Sequence, residues 1–205
     1  MKEPTTPARH GRGRSFGFLL VEVFLIVLGV LLGLAANEWR VERERNHRTR
    51  AALDYISREL EVNRRQIEAL IDYHRAVSDS LDALTDGGAE SVTAADLRRA
   101  MPQGFSVPLI QSNAWELARG TGAVENLELR TAMMLARIYD LQEFYNGKLE
   151  RVADNLYLAG NLDTELRDRL ALALRNLAND IALHEQDLLD GYGMTIARLD
   201  SLRAE

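Results

Sequence analysis

The chain has 205 residues, with 25 Lys and Arg against 31 Asp and Glu, a formal net charge of −6 and no cysteine. A hydrophobic share of 46% beside 27% charged residues excludes a wholly disordered chain and a multi-spanning one. Without cysteine there is neither a disulfide nor a thiolate metal site. The acidic balance argues against nucleic acid as a partner, because neutralising phosphates needs a basic face.

Residues 1–15 carry Lys2, Arg9, Arg12 and Arg14 against Glu3. They include Pro4 and Pro7, and are expected to form a disordered cytoplasmic tail. The next stretch, Phe16 to Ala36, is an apolar run of 21 residues with one ionisable group, Glu22. About 20 such residues in a helix cross the hydrocarbon core of a bilayer. Small residues Gly33 and Ala35 could precede a cleavage point, but the run is longer than a signal-peptide core and continues into helix-forming sequence. We therefore read residues 16–39 as a retained transmembrane helix. The flanks are near balance, with four Lys and Arg before the span and five Arg in residues 40–50. The expected placement is the cell inner membrane, single-pass, with the N-terminus cytoplasmic and the C-terminal body periplasmic. The basic flanks suit anionic lipid head groups.

Within the span, Glu22, Ile26, Gly29, Gly33 and Ala36 recur at spacings of 4, 3, 4 and 3, one stripe of a helix. Gly29 and Gly33 would let a second membrane helix approach closely. Glu22 is expected to reach the head groups or to sit protonated against a neighbouring helix. Trp39 falls where an amphipathic ring is favoured, at the far interface. The order Glu22, Gly29, Gly33, Leu34, Asn37, Trp39 resembles an uncharacterised bacterial family of short, single-span proteins, classed as a domain of unknown function. In the body, Ala114, Trp115, Thr121, Gly122, Leu129, Arg130 and Tyr139 resemble that family's second set of landmarks; Gly33 and Ala118 depart from its usual Ala and Leu. The resemblance implies a membrane location and a helical body, and no activity.

Residues 40–205 read as one all-α domain, with long helices over 40–85, 126–158 and 163–203 and a connector over 86–125. From Arg40 to Leu84 there is neither Gly nor Pro. Leu53, Ile56, Leu60, Asn63, Ile67, Leu70, His74, Val77, Leu81 and Leu84 alternate at 3 and 4, a heptad seam. The pattern predicts one helix continuous with the membrane segment. Asp86, Gly87 and Gly88 should end it, and Thr93 with Asp96 should cap a short helix. Pro102, Gly104 and Pro108 force a loop; a second short helix should start at Ser112 or Asn113 and end near Gly120, with Gly122 in the turn. Met134, Ile138, Leu141, Tyr145, Leu149, Val152 and Leu156 should line the third long helix, with Gly147 marking close packing. The turn Ala159–Gly160–Asn161 leads to the last helix, whose buried side is read as Leu166, Leu170, Leu174, Leu177, Ile181, His184, Leu188 and Tyr192. Gly191 and Gly193 are expected to kink it. An antiparallel bundle follows.

Candidate chemistry is sparse. His74 and His184 both fall on apolar stripes and could meet as a metal-binding or pH-sensitive pair, or could set helix register as buried polar residues do. No Glu stands three residues before either, so the carboxylate–histidine motif of metal-binding bundles is missing. Glu185 and Asp187 read as an exposed helix edge, and Asn63 as a register residue. Phe105, Trp115 and Tyr139 could line a small pocket, with core packing the alternative. No triad spacing, phosphate loop or zinc-protease helix motif occurs. The sequence thus points to a non-enzymatic, membrane-anchored helical assembly or protein-interaction module without a cofactor. Membrane lipid and either a second copy or another membrane protein are the expected partners. The alternative is an extracytoplasmic ligand-sensing bundle that signals through a partner protein.

Overall fold

A computed structural model of the chain describes residues 16–86, 92–104, 106–158 and 164–204. The tail, the Gly87–Gly88 and Ala159–Asn161 turns, Phe105, and the side chains of Val152, Leu156 and Leu166 lie outside the described residues. Six helices and no strand occur among the described residues: α1 (Phe16–Glu68), α2 (Ile71–Thr85), α3 (Ala94–Ala100), α4 (Asn113–Gly120), α5 (Leu129–Leu158) and α6 (Thr164–Ala204). The chain divides into two compact units, Met1–Asn46 and His47–Glu205.

In the first unit the described residues are helical. An 18-residue window there has mean hydropathy 2.8, with none of it buried. This is one helix long and apolar enough to cross a membrane. The helical run is unbroken from Phe16 to Glu68, so the expected continuity between the apolar segment and the heptad helix holds.

The second unit runs up, down, up and down. Residues 47–85 form the first leg. The connector is the second: His74 meets Ser106, Asn63 meets Gln111, Glu59 meets Ala114 and Thr49 meets Ala123, so the chain retraces the full leg. α5 then returns in the direction of α1, with Tyr139 at Glu59 and Gln142 at Asn63. α6 descends between them, from Asp168 at Val92 through Arg175 at Asp82 to Arg203 at Asp54. Consecutive legs are antiparallel, as expected; an irregular connector takes the place of one helix of a four-helix bundle.

The core follows from this path. Leu53, Ile56, Leu60 and Ile67 pack with Trp115, Leu135, Ile138, Tyr145, Ile181, Leu188, Tyr192 and Leu199. Val77 and Leu81 pack with Ala100, Met101, Leu174 and Ala178. Each fully buried large side chain here contributes about 1.5–3 kcal/mol relative to exposure.

Four details differ from the sequence reading. The predicted helix to Leu84 breaks at Ala69–Leu70, where the Leu70 N–H donates to the Ile67 carbonyl at 2.9 Å, three residues back. Beyond this break Ile71 is buried and Leu70 only half-buried. No Gly or Pro signals it. The stripes of α5 and α6 are each offset by a residue in places: Leu135 is buried and Met134 half-buried, Ala178 buried and Leu177 half-buried. α6 runs without a break through Gly191 and Gly193. A Cβ at Gly191 would stand 2.6 Å from Ile138 Cδ1, so this glycine is where α6 closes on α5. Gly147 has no such neighbour within 4 Å, contrary to the expectation of close packing.

The connector is built as read. Thr93 and Asp96 form a reciprocal capping box at the start of α3. Gly122 has φ +70°, and the Ala123 N–H reaches back to the Ala118 carbonyl at 3.0 Å. That is the left-handed helix stop for which glycine is suited. It presents the Ala123 carbonyl to the Thr49 hydroxyl at 2.9 Å.

Candidate functional site

The interior of the second unit holds a ladder of polar groups that joins all four legs. At its centre Glu185 of α6 is 0% exposed and His74 of α2 is 1% exposed. Glu185 Oε1 lies 2.6 Å from His74 Nδ1 and accepts from the Tyr145 hydroxyl of α5, also at 2.6 Å. His74 Nε2 lies 2.8 Å from the Ser106 carbonyl of the connector. A carbonyl only accepts, so Nε2 carries a proton; a second proton lies between Nδ1 and Glu185 Oε1 and joins the two as a buried histidine–carboxyl pair. Burial opposes the charge, but the Glu185 hydrogen bond and charge, with the Ser106 carbonyl, outweigh it and raise the His74 pKa above 6.5.

The sign of the pH dependence follows. A histidine whose folded-state pKa is raised lends stability that is fully present below its ordinary value and is lost as pH climbs through the raised one. Denaturant melts of the protein from pH 6 to 9 are expected to show stability falling on the alkaline side; a flat profile would contradict the ion pair.

Further down the leg, Asn63 bonds the backbone of Gln111 on both sides: its Nδ2 donates to the carbonyl at 2.7 Å and its Oδ1 accepts from the N–H at 2.9 Å. Gln142 of α5 also donates to that carbonyl, at 3.2 Å. Below this, Glu59 accepts from the Tyr139 hydroxyl at 2.7 Å and from the Ala114 N–H at 2.8 Å. Tyr139 stacks on Trp115, with ring centroids 5.2 Å apart and planes 4° from parallel. Burial, then the neighbouring carboxylates, push the phenols of Tyr139 and Tyr145 far above their usual range, so both remain donors. The side chains of the ladder are buried, while Gln111 and Ser106 of the connector are half-buried. Its chemistry is positional: it locks one register of four legs.

His74 and His184 do not meet. His184 is half-buried, its Nδ1 lies 2.6 Å from the Asp180 carbonyl, and it leans on Phe144 at 5.1 Å. The group that meets His74 is Glu185, which the sequence reading placed on an exposed edge. Among the described residues no cluster of three or more His, Asp or Glu could hold a metal. Trp115 and Gly122 are brought to the ladder's lower end. In the first unit Trp39 is exposed with Arg43 over its ring at 5.5 Å, and Arg40 reaches Asn37 at 3.4 Å. Glu22, Gly29 and Gly33 lie on exposed helix surface.

Two grooves open on the surface of the second unit. The larger, about 1590 Å³, lies between α5 and α6. Leu129, Met133, Phe144 and Met194 line it and are strongly exposed, Met133 at 64% and Met194 at 69%. Arg130, Arg137 and Arg198 share it with Glu128, Asp140, Asp187 and Asp190. The smaller, about 720 Å³, lies between α1 and the connector about α4. No family model, curated protein or solved structure matches the chain.

Proposed function

We propose that the protein is a single-span membrane protein whose helical body docks another protein, with no catalytic role. The observation that carries this is the α5/α6 groove. Four large apolar side chains stand exposed along one trough, and such patches mark interaction surfaces. Two of them are methionines, whose flexible thioethers suit adaptable protein contacts. The seven charges around them are of both signs, three Arg against four carboxylates, which favours a protein partner over nucleic acid or a purely anionic surface. The apolar segment supports the anchor, and the basic residues before it, with Glu3 alone against them, support an inner-membrane setting with the tail cytoplasmic and the body periplasmic. The Glu22, Gly29, Gly33 stripe supports lateral contact with a second copy or another membrane helix.

The test is co-purification from native membranes. The double change Met133→Glu and Met194→Glu, both at exposed positions, is expected to abolish recovery of the partner while leaving the melting temperature unchanged. Undiminished recovery would sink the groove as the docking face.

A second reading, a ligand-sensing bundle signalling through a partner, is supported by the smaller groove, whose volume falls in the range of about 300–1,000 Å³ typical of small-molecule sites.

A further inference from the structure

From the smaller groove we infer a binding site for a single-chain anionic lipid, one extended acyl chain with a negatively charged head. The inference rests on the ligand-sensing reading and names its ligand class.

Its floor is methyl groups: Ala51 and Ala52 of α1, Ala114 and Ala118 of α4, and Ala123 beyond it. Tyr55, Val62 and Leu117 rise around the floor as exposed apolar walls. The exposed charges lining the groove are both cationic, Arg48 and Arg58, with His47 beside them. The one carboxylate in the lining, Glu59, is buried, and its two oxygens are bonded to Ala114 N–H and Tyr139. A cationic mouth is notable on a chain of net charge −6. Guanidinium pairs well with the planar oxygens of a carboxylate or phosphate. Apolar floor and cationic mouth together describe an anionic amphiphile.

A helical peptide fits less well. α4 has eight residues, so the wall it offers is about 12 Å long. Two turns give few of the i, i+4, i+7 anchors by which a helix is held in a groove. An acyl chain has the narrower cross-section that a trough floored by alanines accepts.

The test uses the full-length chain in nanodiscs of zwitterionic phospholipid, incubated with a diazirine analogue of palmitate, or with the matching analogue of hexadecanol. Photo-adducts are mapped by peptide mass spectrometry. Palmitate adducts are expected within residues 47–62 or 111–123. They should fall roughly tenfold with Arg58→Glu, the size expected for losing a charge-assisted contact and adding repulsion. Arg58→Gln should give a smaller fall, and both variants should melt as the parent does. Equal labelling of the groove by hexadecanol, or palmitate labelling indifferent to Arg58→Glu, would overturn the anionic class while leaving a ligand groove. No adduct in either stretch with either probe would overturn the site and the ligand-sensing reading with it.

Discussion

Replacing Glu185 by leucine is expected to lower the stability of the body by about 3–5 kcal/mol, the cost of breaking a buried ion pair from one side. The leucine fills the space but leaves the Tyr145 hydroxyl and His74 Nδ1 without their shared acceptor. Glu185→Gln separates charge from shape. The amide can still accept from Tyr145, so the loss should be smaller. Without the carboxylate, burial becomes the dominant influence on His74, and its pKa falls below the unfolded value. Stability should then be lost as pH falls toward and below 6.5, opposite to the parent. Denaturant melts across pH on the three proteins decide this; parallel profiles for parent and Glu185→Gln would refute the ion pair.

Asn63→Leu is the second large effect, and its sign is diagnostic. In a simple heptad seam, a leucine at this position would stabilise the helix pair, since a buried Asn trades stability for register. Here Asn63 holds both polar groups of the Gln111 backbone, inside a connector that has no helix of its own at that point. Without Asn63 the Gln111 N–H is left unpaired, at about 1–3 kcal/mol, and the carbonyl keeps only the longer bond from Gln142. Even after the apolar gain, a net loss of about 2 kcal/mol is expected, with the connector around Gln111 exchanging its amide protons faster. A stabilised variant would mean that the connector is not held by this residue.

These two residues also show what the sequence made legible. Asn63 was visible as an interruption of a strict apolar seam, and its role in register was readable. Its partner was not, because Gln111 meets it through backbone atoms, which carry no side-chain signature. Glu185 was harder. From Ile181 to Tyr192 the buried set can step through His184 or through Glu185 with equally good helical spacing. A preference for the less polar residue chose His184, and the structure buries Glu185. What decides is the cation across the interface, His74, which no single-helix pattern contains. Glu59 was missed for a related reason: it adjoins Leu60 on the seam and looks like an ordinary flanking charge, yet Tyr139 and Ala114 draw it inward.

The helical class, the capping box at Thr93 and the turn at Gly122 were legible because their causes are local: apolar spacing, a side chain three residues away, a left-handed glycine. The break at Ala69–Leu70 was not, since it carries neither Gly nor Pro and follows from how the two halves of the leg meet different neighbours. Gly191 illustrates the same limit. In sequence it reads as a weak point in a helix, whereas in the fold it is the place where Ile138 needs room.

The docking role of the α5/α6 groove is tested most directly by photo-crosslinking in intact cells. A photoreactive amino acid placed at Met194 should trap a discrete protein adduct, identifiable by mass spectrometry, whereas the same group at Asp79, exposed on α2 and outside both grooves, should trap none. Equal trapping at both positions, or none at Met194 and Met133 in a chain that is expressed and folded, would contradict the docking role assigned to that groove.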